Sequence, residues 1–289
     1  MKKAYVLAGV SILIWSTIAT TSKLLLGSLN SFQILSVSAL FAAVFLLIVN
    51  IATGNIQKLK AYKLRDYLTT VLIGLPGTFL YYLFLYTGTD KMLASQAFII
   101  NYLWPIMSVV FACLILKEKM TVRKGIAIAL SFVGVMIVTG KDLLHFQKDT
   151  LLGAALCILG AVSYGSFTAL NQKFRYDKRL SMMIFYFTSF LLTSIINLAT
   201  GNTFALTGGL VLGLAYNGVF SMAVGTTTWA LALESGKTAK ISNLAYITPF
   251  LSLIWTAIFL KEAISIWSVL GLAVIVLGIF IQLKDKKTN

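Results

Sequence analysis

Few residues in this 289-residue chain are equipped for covalent chemistry. The one histidine, His145, falls in a short loop, and all nine acidic residues lie at the ends of apolar runs or between them. There is no HExxH pattern, no cysteine cluster and no pair of carboxylates inside an apolar run, so hydrolysis, acid–base pairs and nucleophile–base sets lack their parts. Cys113 and Cys157 lie singly within apolar runs and suggest no disulfide framework. A buried carboxylate, the usual proton relay of a pump, has no candidate beyond Asp90 and Glu234 at run ends. The sequence predicts no enzyme, no metal and no cofactor.

The chemistry that remains is recognition by aromatic and polar side chains within apolar runs. Phe98, Asn101, Tyr102 and Pro105 stand at i, i+3, i+4 and i+7, one face of a helix. Ser242, Ala245, Tyr246 and Pro249 repeat that face later in the chain. Proline removes a backbone donor and bends a helix, and freed backbone groups within a membrane are tolerated where they are buried or line a cavity. Two readings are open for these faces: a cavity wall, or a kink at Pro105 and Pro249 with packed tyrosines. Pro76 is the only other proline and also lies within an apolar run. Trp15 and Tyr164 lie near the middle of their runs, away from the headgroup level where aromatic belts form. Asn217, Thr226, Thr228 and Trp229 are further candidates, with interhelical hydrogen bonding as the alternative. Gly209 and Gly213 read as close helix packing. Lys23 continues a polar stripe from Ser16 and Thr20; it can meet a substrate carboxylate or snorkel to headgroups.

The elements that must position these residues are membrane helices. Hydrophobic residues make up 58% of the chain and charged residues 11%, against about 25% charged in soluble domains. Ten apolar runs are long enough to cross a bilayer as helix: 4–26, 31–51, 67–87, 92–116, 122–139, 151–172, 181–200, 208–233, 240–260 and 265–283. The expected fold class is all-α, a polytopic membrane protein. The first run is too long for a cleaved signal peptide and no small-residue cleavage site follows it. With the N-terminus taken as cytoplasmic, nineteen of the 24 basic residues fall on the inner side. That asymmetry puts both termini in the cytoplasm and explains the net charge of +15 without nucleic acid.

An internal repeat organises the spans. A constant offset of 144 residues pairs Gly74 with Gly218, Asp90 with Glu234, Tyr102 with Tyr246, Pro105 with Pro249, Lys117-Glu118 with Lys261-Glu262 and Gly134 with Gly278. Trp15-Ser16-Thr17 matches Tyr164-Gly165-Ser166 at a slightly different offset. Residues 1–145 and 146–289 then hold five spans each, and an odd number inverts the second half. Inverted repeats place a binding site near the midplane, where the halves meet.

Ile14-Trp15-Ser16-Thr17, the proline and Lys-Glu endings of the fourth and ninth spans, and the five-plus-five repeat resemble the EamA branch of the drug/metabolite transporter superfamily. Asn101-Tyr102-Leu103-Trp104-Pro105, with Lys23 eight positions after Trp15, is similar to the motif of bacterial aromatic amino-acid exporters. The eighth span and the Lys-Glu after the fourth depart from that pattern. The resemblance implies a ten-helix basket around an aromatic-lined cavity and export of amino acids or related metabolites from the cytoplasmic membrane. The substrate-binding residues expected are Trp15, Phe98, Asn101, Tyr102, Tyr164, Trp229, Tyr246 and Lys23. The partners expected are a small-molecule substrate and the bilayer. Alternatives are a carrier of another metabolite (a nucleobase, cofactor precursor or drug-like cation), a membrane-embedded enzyme, or a channel.

Overall fold

The computed structural model describes residues 2–144, 147–174, 176–202, 205–235 and 244–283. Among them there are helices and no strands, as expected where every backbone amide must be satisfied without water. The helices are α1 Lys2–Ser16, α2 Ile18–Leu26, α3 Ser31–Ala52, α4 Leu64–Gly74, α5 Tyr81–Asp90, α6 Ala94–Asn101, α7 Trp104–Ile115, α8 Val122–Leu144, α9 Lys148–Lys173, α10 Lys178–Ala199, α11 Gly208–Ala215, α12 Gly225–Ser235, α13 Thr248–Phe259 and α14 Ile266–Leu283. Continuous helical stretches long and apolar enough to cross a membrane number eight, and two shorter apolar helices, Ala245–Phe259 and Ile266–Ile281, follow them. His145, Arg175, Ser242 and the lysines Lys237 and Lys240 lie outside the described residues.

Several spans are interrupted where sequence demands it. Two wide π-helical turns, Leu75–Leu80 and Tyr216–Val224, join α4 to α5 and α11 to α12. The first holds Pro76, which has no N–H to give, at its second position; the second holds the positions offset by 144 without a proline. The fourth span breaks at Tyr102 and Leu103, between α6 and α7. At the matching place a short 3-10 turn, Ala245–Ile247, precedes α13. Pro105 and Pro249 each sit at the second position of the helix that resumes, where a missing N–H is tolerated.

Packing pairs the sequence halves. α3 packs on α10 and α8 on α14, while α9 lies against α5 and α7 of the first half and α1 against α12 and α13 of the second. Each half thus lends its first long helix to the other. Side chains stitch these contacts: Ser11 Oγ lies 2.7 Å from Thr228 Oγ1, Trp255 Nε1 donates to Ser16 Oγ at 2.9 Å, and Ser108 Oγ lies 2.8 Å from Thr168 Oγ1. Asn217 Nδ2 donates to Tyr86 Oη at 2.7 Å and to Ser38 Oγ at 3.2 Å. Asn217 and Thr228 therefore serve interhelical bonding, one of the two roles open to them. Gly213 takes up Leu25, whereas Gly209 faces open space, so only one of that pair packs closely. Large apolar side chains point outward in stripes, as with Leu64, Leu68 and Leu72 on α4 and Leu47, Ile48 and Ile51 on α3, the pattern of a lipid-facing wall.

Connections meet in two sets, one at each face. At the face where α1 begins, Asp177 caps α10 through the amides of Arg179 (3.1 Å) and Leu180 (3.3 Å). The same carboxylate accepts from Asn55 at 3.0 Å and Lys58 at 2.6 Å in the connection after α3. Burial alone would raise this carboxyl, but the Lys58, Asn55 and Leu180 bonds outweigh it and hold Asp177 below the ordinary carboxylate range. At the opposite face the connections after α2, α5 and α13 meet, as described below.

Two outcomes follow. A Cβ on Gly134 of α8 would stand 2.5 Å from the Ile275 side chain and 2.7 Å from the Gly271 carbonyl of α14, whereas one on Gly125 meets nothing within 4 Å. Gly134→Ala should lower stability in detergent by about 1–3 kcal/mol and Gly125→Ala should not; equal thermal midpoints for the two would contradict this packing. For Asp177 the folded pKa lies below the unfolded one, so its contribution is full at neutral pH and is lost as pH falls through the folded value. Asp177→Ala should therefore cost about 1–2 kcal/mol at pH 7, and the gap to wild type should narrow in acid; a gap that is constant with pH would show that the carboxylate charge is idle.

Candidate functional site

An aromatic cleft lies where the interrupted helices meet. It is lined by Trp15, Ile18, Tyr81, Tyr82, Phe98, Asn101, Tyr102, Trp104, Tyr164, Thr226 and Thr248. These residues come from α1, α2, α5, α6 with the break after it, α7, α9, α12 and α13, so both sequence halves contribute. The rings contact one another edge to face or tilted: Tyr81 lies 4.7 Å from Tyr164, Trp104 5.2 Å from Tyr164, and Tyr102 6.2 Å from Trp104, centroid to centroid. None of the described acidic or basic side chains lines the cleft. Its volume is only about 40 Å³, room for one or two waters at most.

Of the residues singled out in sequence, Trp15, Phe98, Asn101, Tyr102 and Tyr164 line this cleft. Trp229 and Tyr246 form a layer behind it. Trp229 packs on Trp15 at 5.4 Å, and Tyr246 lies 6.4 Å from Tyr102 and 5.7 Å from Phe280. Trp15 reaches its place because Gly225 has no side chain; a Cβ there would stand 2.6 Å from the indole nitrogen, which donates to the Ser221 carbonyl at 3.2 Å. Asn101 Nδ2 donates to Tyr81 Oη at 3.1 Å, while Asn101 Oδ1 is buried without a donor.

Tyr81, Tyr82, Trp104 and Thr248 were not among the sequence candidates. The first two follow Pro76, and the widened turn brings two successive tyrosines inward together, which a regular 3.6-residue period does not anticipate. Trp104 lies off the Phe98–Asn101–Pro105 face of a straight helix; the break at Tyr102 and Leu103 turns it in.

Tyr102 does more than line the cleft. Its hydroxyl donates to the Ala245 carbonyl, the group four residues before Pro249 that an unbroken helix would pair with the missing N–H. That carbonyl also accepts from the Thr248 amide in the 3-10 turn, so the first half supplies it with a second donor, from across the bundle. The reciprocal contact is not made: among the described residues no donor reaches the Asn101 carbonyl, four before Pro105, and the Tyr246 hydroxyl has no partner.

The two faces differ. At the face where α1 begins, a vestibule of about 610 Å³ is lined by Asn55, Gln172, Tyr176, the Lys58–Asp177 pair, Lys178, Arg179, Met182, Thr226, Thr227 and Leu231. Thr226 belongs to both vestibule and cleft. At the opposite face a smaller hollow of about 410 Å³ is lined by Lys23, Asp90, Lys91, Met92, Leu93, Gln96, Gln147 and Thr150, and hydrogen bonds tie the connections together there. Lys23 stands apart from the cleft, and its ammonium donates to the carbonyls of Thr89 (2.7 Å), Asp90 (3.2 Å) and Met92 (2.9 Å). Glu262 accepts from the amides of Ala94 (2.8 Å) and Ser95 (3.0 Å), capping α6. The Lys-Glu sequence has a geometric reason. Lys261 and Lys117 both take left-handed backbone, at φ 54° and 62°. Beyond them the helices are closed by bonds that reach six residues back, from the Glu262 amide to the Thr256 carbonyl (3.4 Å) and from the Glu118 amide to the Ala112 carbonyl (3.3 Å). Glu118, the counterpart of Glu262, pairs instead with Lys124 at 3.1 Å.

With this geometry in hand, comparison with known proteins is direct. The profile of the EamA-like transporter family matches residues 2–140 and again residues 151–283. A Clostridium kluyveri protein described as an uncharacterized transporter is 25% identical over 300 residues, spanning 100% of this chain and 96% of its own. An Archaeoglobus fulgidus protein of the same description is 24% identical over 294 residues, spanning 99% of this chain and 100% of its own. A protein crystal structure that is 17% identical superposes with a TM-score of 0.71, over 96% of this chain and 95% of its own, and shares the fold. Two successive matches of one profile account for nearly all of the sequence, and the chain belongs to the EamA-like transporter family, a family of multi-pass membrane transporters.

Proposed function

We propose that this transporter is a secondary carrier of amino acids or related small metabolites, that it exports them across the cytoplasmic membrane, and that it works by alternating access. In this reading residues 1–145 and 146–289 are inverted five-span repeats, Ala245–Phe259 and Ile266–Ile281 complete a set of ten spans, and both termini are cytoplasmic. The vestibule then opens to the cytoplasm, the loading state of an exporter, and the ties through Lys23 and Glu262 seal the outside. The aromatic cleft is the central site, with Trp15, Phe98, Asn101, Tyr102 and Tyr164 as substrate contacts and Trp229 and Tyr246 supporting them. It is too small as described for a metabolite, since ligand pockets run to roughly 300–1,000 Å³, so its rings must part on loading.

One observation carries the reading: the bond from Tyr102 to the Ala245 carbonyl, made in one direction only. Inverted repeats make the two access states mirror each other. The mirror of this bond is Tyr246 donating to the Asn101 carbonyl. A carrier that exchanges one for the other keeps one cross-bundle bond to a carbonyl four residues before a proline in each state and moves its halves by turning at the two breaks. An aromatic wall with few polar atoms suits an amphipathic solute, and no carboxylate lines it to relay protons.

The direct test is counterflow of radiolabelled L-phenylalanine in proteoliposomes, beside a nucleobase and a cationic dye. Losing one hydrogen bond is worth about 1 kcal/mol, so Tyr102→Phe should slow exchange by about fivefold with little change in KM. Tyr102→Ala and Tyr246→Ala should abolish it, while Leu114→Ala on the lipid side should be neutral. Wild-type affinity in both alanine variants would remove the cleft from the mechanism, and transport of only the nucleobase or the dye would replace the substrate class. For topology, cysteines at Gln57 and Leu206 in a background without Cys113 should react with an impermeant reagent from opposite sides, Gln57 from inside; labelling of both from one side would end the ten-span arrangement.

A further inference from the structure

We propose that the vestibule is an anion-selecting antechamber in which Arg179 receives the carboxylate of the substrate before its apolar part enters the aromatic cleft; this rests on the cleft being the transport site. The cleft has aromatic rings and no charged side chain, so a substrate that carries a carboxylate must find its counter-charge elsewhere. Lys23 on α2 is held by three carbonyls at the opposite face and cannot serve from there. The vestibule offers what the cleft lacks, and the two share Thr226.

Its charges are unequal. Lys58, Lys178 and Arg179 line it against one acid, Asp177. Each carboxylate oxygen of Asp177 is already engaged: Oδ2 accepts from Lys58, and Oδ1 accepts from Asn55 and from the backbone amides of Arg179 and Leu180. Lys178 donates to the carbonyl and side-chain oxygen of Asn171 at 2.5 and 3.1 Å. Arg179 bonds through its backbone, to Asp177 and, by its carbonyl, to Asn50 at 3.3 Å, and its guanidinium makes no hydrogen bond or ion pair with a described residue. The one acid among the described lining residues thus ties down the helix start and Lys58, and the Arg179 side chain lines the cavity without it. Thr227, whose hydroxyl is buried without a partner, lines the same space next to Thr226. A guanidinium presents a planar fork of donors that fits a carboxylate with two bonds. A cavity lined by an excess of positive charge also concentrates anions and repels cations before any contact is made.

The test uses three probes that share one benzene ring: L-phenylalanine, 3-phenylpropanoate, which keeps only the carboxylate, and phenethylamine, which keeps only the ammonium. Binding is read from the tryptophan fluorescence of the full chain in detergent and again in vesicles of phosphatidylethanolamine with and without phosphatidylglycerol. The two carboxylates should bind wild type better than the amine, and that preference should weaken with rising salt. Charge-assisted hydrogen bonds are worth roughly 1.5–3 kcal/mol, so Arg179→Gln should weaken both carboxylates about tenfold or more and leave phenethylamine unchanged or improved. Arg179→Lys, which keeps the charge but not the fork, should fall between. Lys60→Gln, an exposed charge on the same face, should match wild type.

Equal or tighter binding of phenethylamine to wild type would overturn the antechamber while leaving the cleft as the site. An unchanged preference in Arg179→Gln would place the anion group elsewhere and overturn it too. Loss of the preference only in the phosphatidylglycerol vesicles would identify a lipid headgroup as the occupant and likewise overturn it. Binding of none of the three would remove the central site along with it. Should Arg179→Gln fail to fold, the order of the three probes on wild type and its salt dependence still decide the matter.

Discussion

A proline inside a membrane helix leaves the carbonyl four residues before it without its donor, and no water is at hand to replace it. This chain carries that defect twice, at Pro105 and Pro249, in equivalent places of two sequence halves. At Pro249 the Ala245 carbonyl takes a 3-10 bond from the Thr248 amide in place of the lost one, and the Tyr102 hydroxyl adds a second donor from across the bundle. The centre is arranged around that cross-bundle bond: Tyr102 lies beside Tyr246, the break after α6 meets the turn before α13, and Trp104 packs on Tyr164. The cleft is narrow because the rings around these breaks close on one another.

The rest of the bundle makes such a centre possible without fixing it rigidly. α1 is lodged against α12 and α13, and α9 against α5 and α7, so each half holds a helix of the other and the core can shift only if these pairs move together. Outside them, α8 and α14 pack backbone to backbone through Gly134 and Gly271, while α3 lies along α10. These close contacts are the stiff part. Between them lie the helix interruptions, two π-helical turns and three breaks (at Thr17, after α6 and before α13), which border the cleft. Closure of one face by Lys23 and Glu262, and the open vestibule at the other, are then two ends of one arrangement.

Much of this was legible before any coordinates. Eight of the ten apolar runs match described helices long enough to span, since span length is set by the bilayer, and the last two match the shorter helices Ala245–Phe259 and Ile266–Ile281; the third run extended to Leu64–Asp90 because its polar ends are still helical. Five of the eight expected contact residues line the cleft, because helical spacing and the repeat put them on inward faces. Trp229 and Tyr246 came out one layer behind, since facing the core and facing the cavity leave the same periodic signal. Lys23 came out on the far side of the span, where three carbonyls from the α5 end satisfy it; nothing local to Ser16 and Thr20 encodes that partner. Tyr81, Tyr82 and Trp104 depend on where helices depart from 3.6 residues per turn, and that departure is a property of the packed bundle. The charge arrangement of the vestibule was equally hidden, since positive-inside counting treats Arg179 and Lys58 alike although only Lys58 has an acid to pair with.

The central claim is that Tyr102 on the Ala245 carbonyl holds the vestibule open and the opposite face closed. Paired spin labels would read it: one pair at Gln57 and Gln172 across the vestibule mouth, another at Ser28 and Ile264 across the opposite face, each compared in the wild-type background and in Tyr102→Phe. The account predicts that removing the hydroxyl shortens the Gln57–Gln172 distance and lengthens the Ser28–Ile264 distance in the same fraction of molecules. Distance distributions unchanged by Tyr102→Phe in a folded protein, or a change at one face without the other, would contradict it.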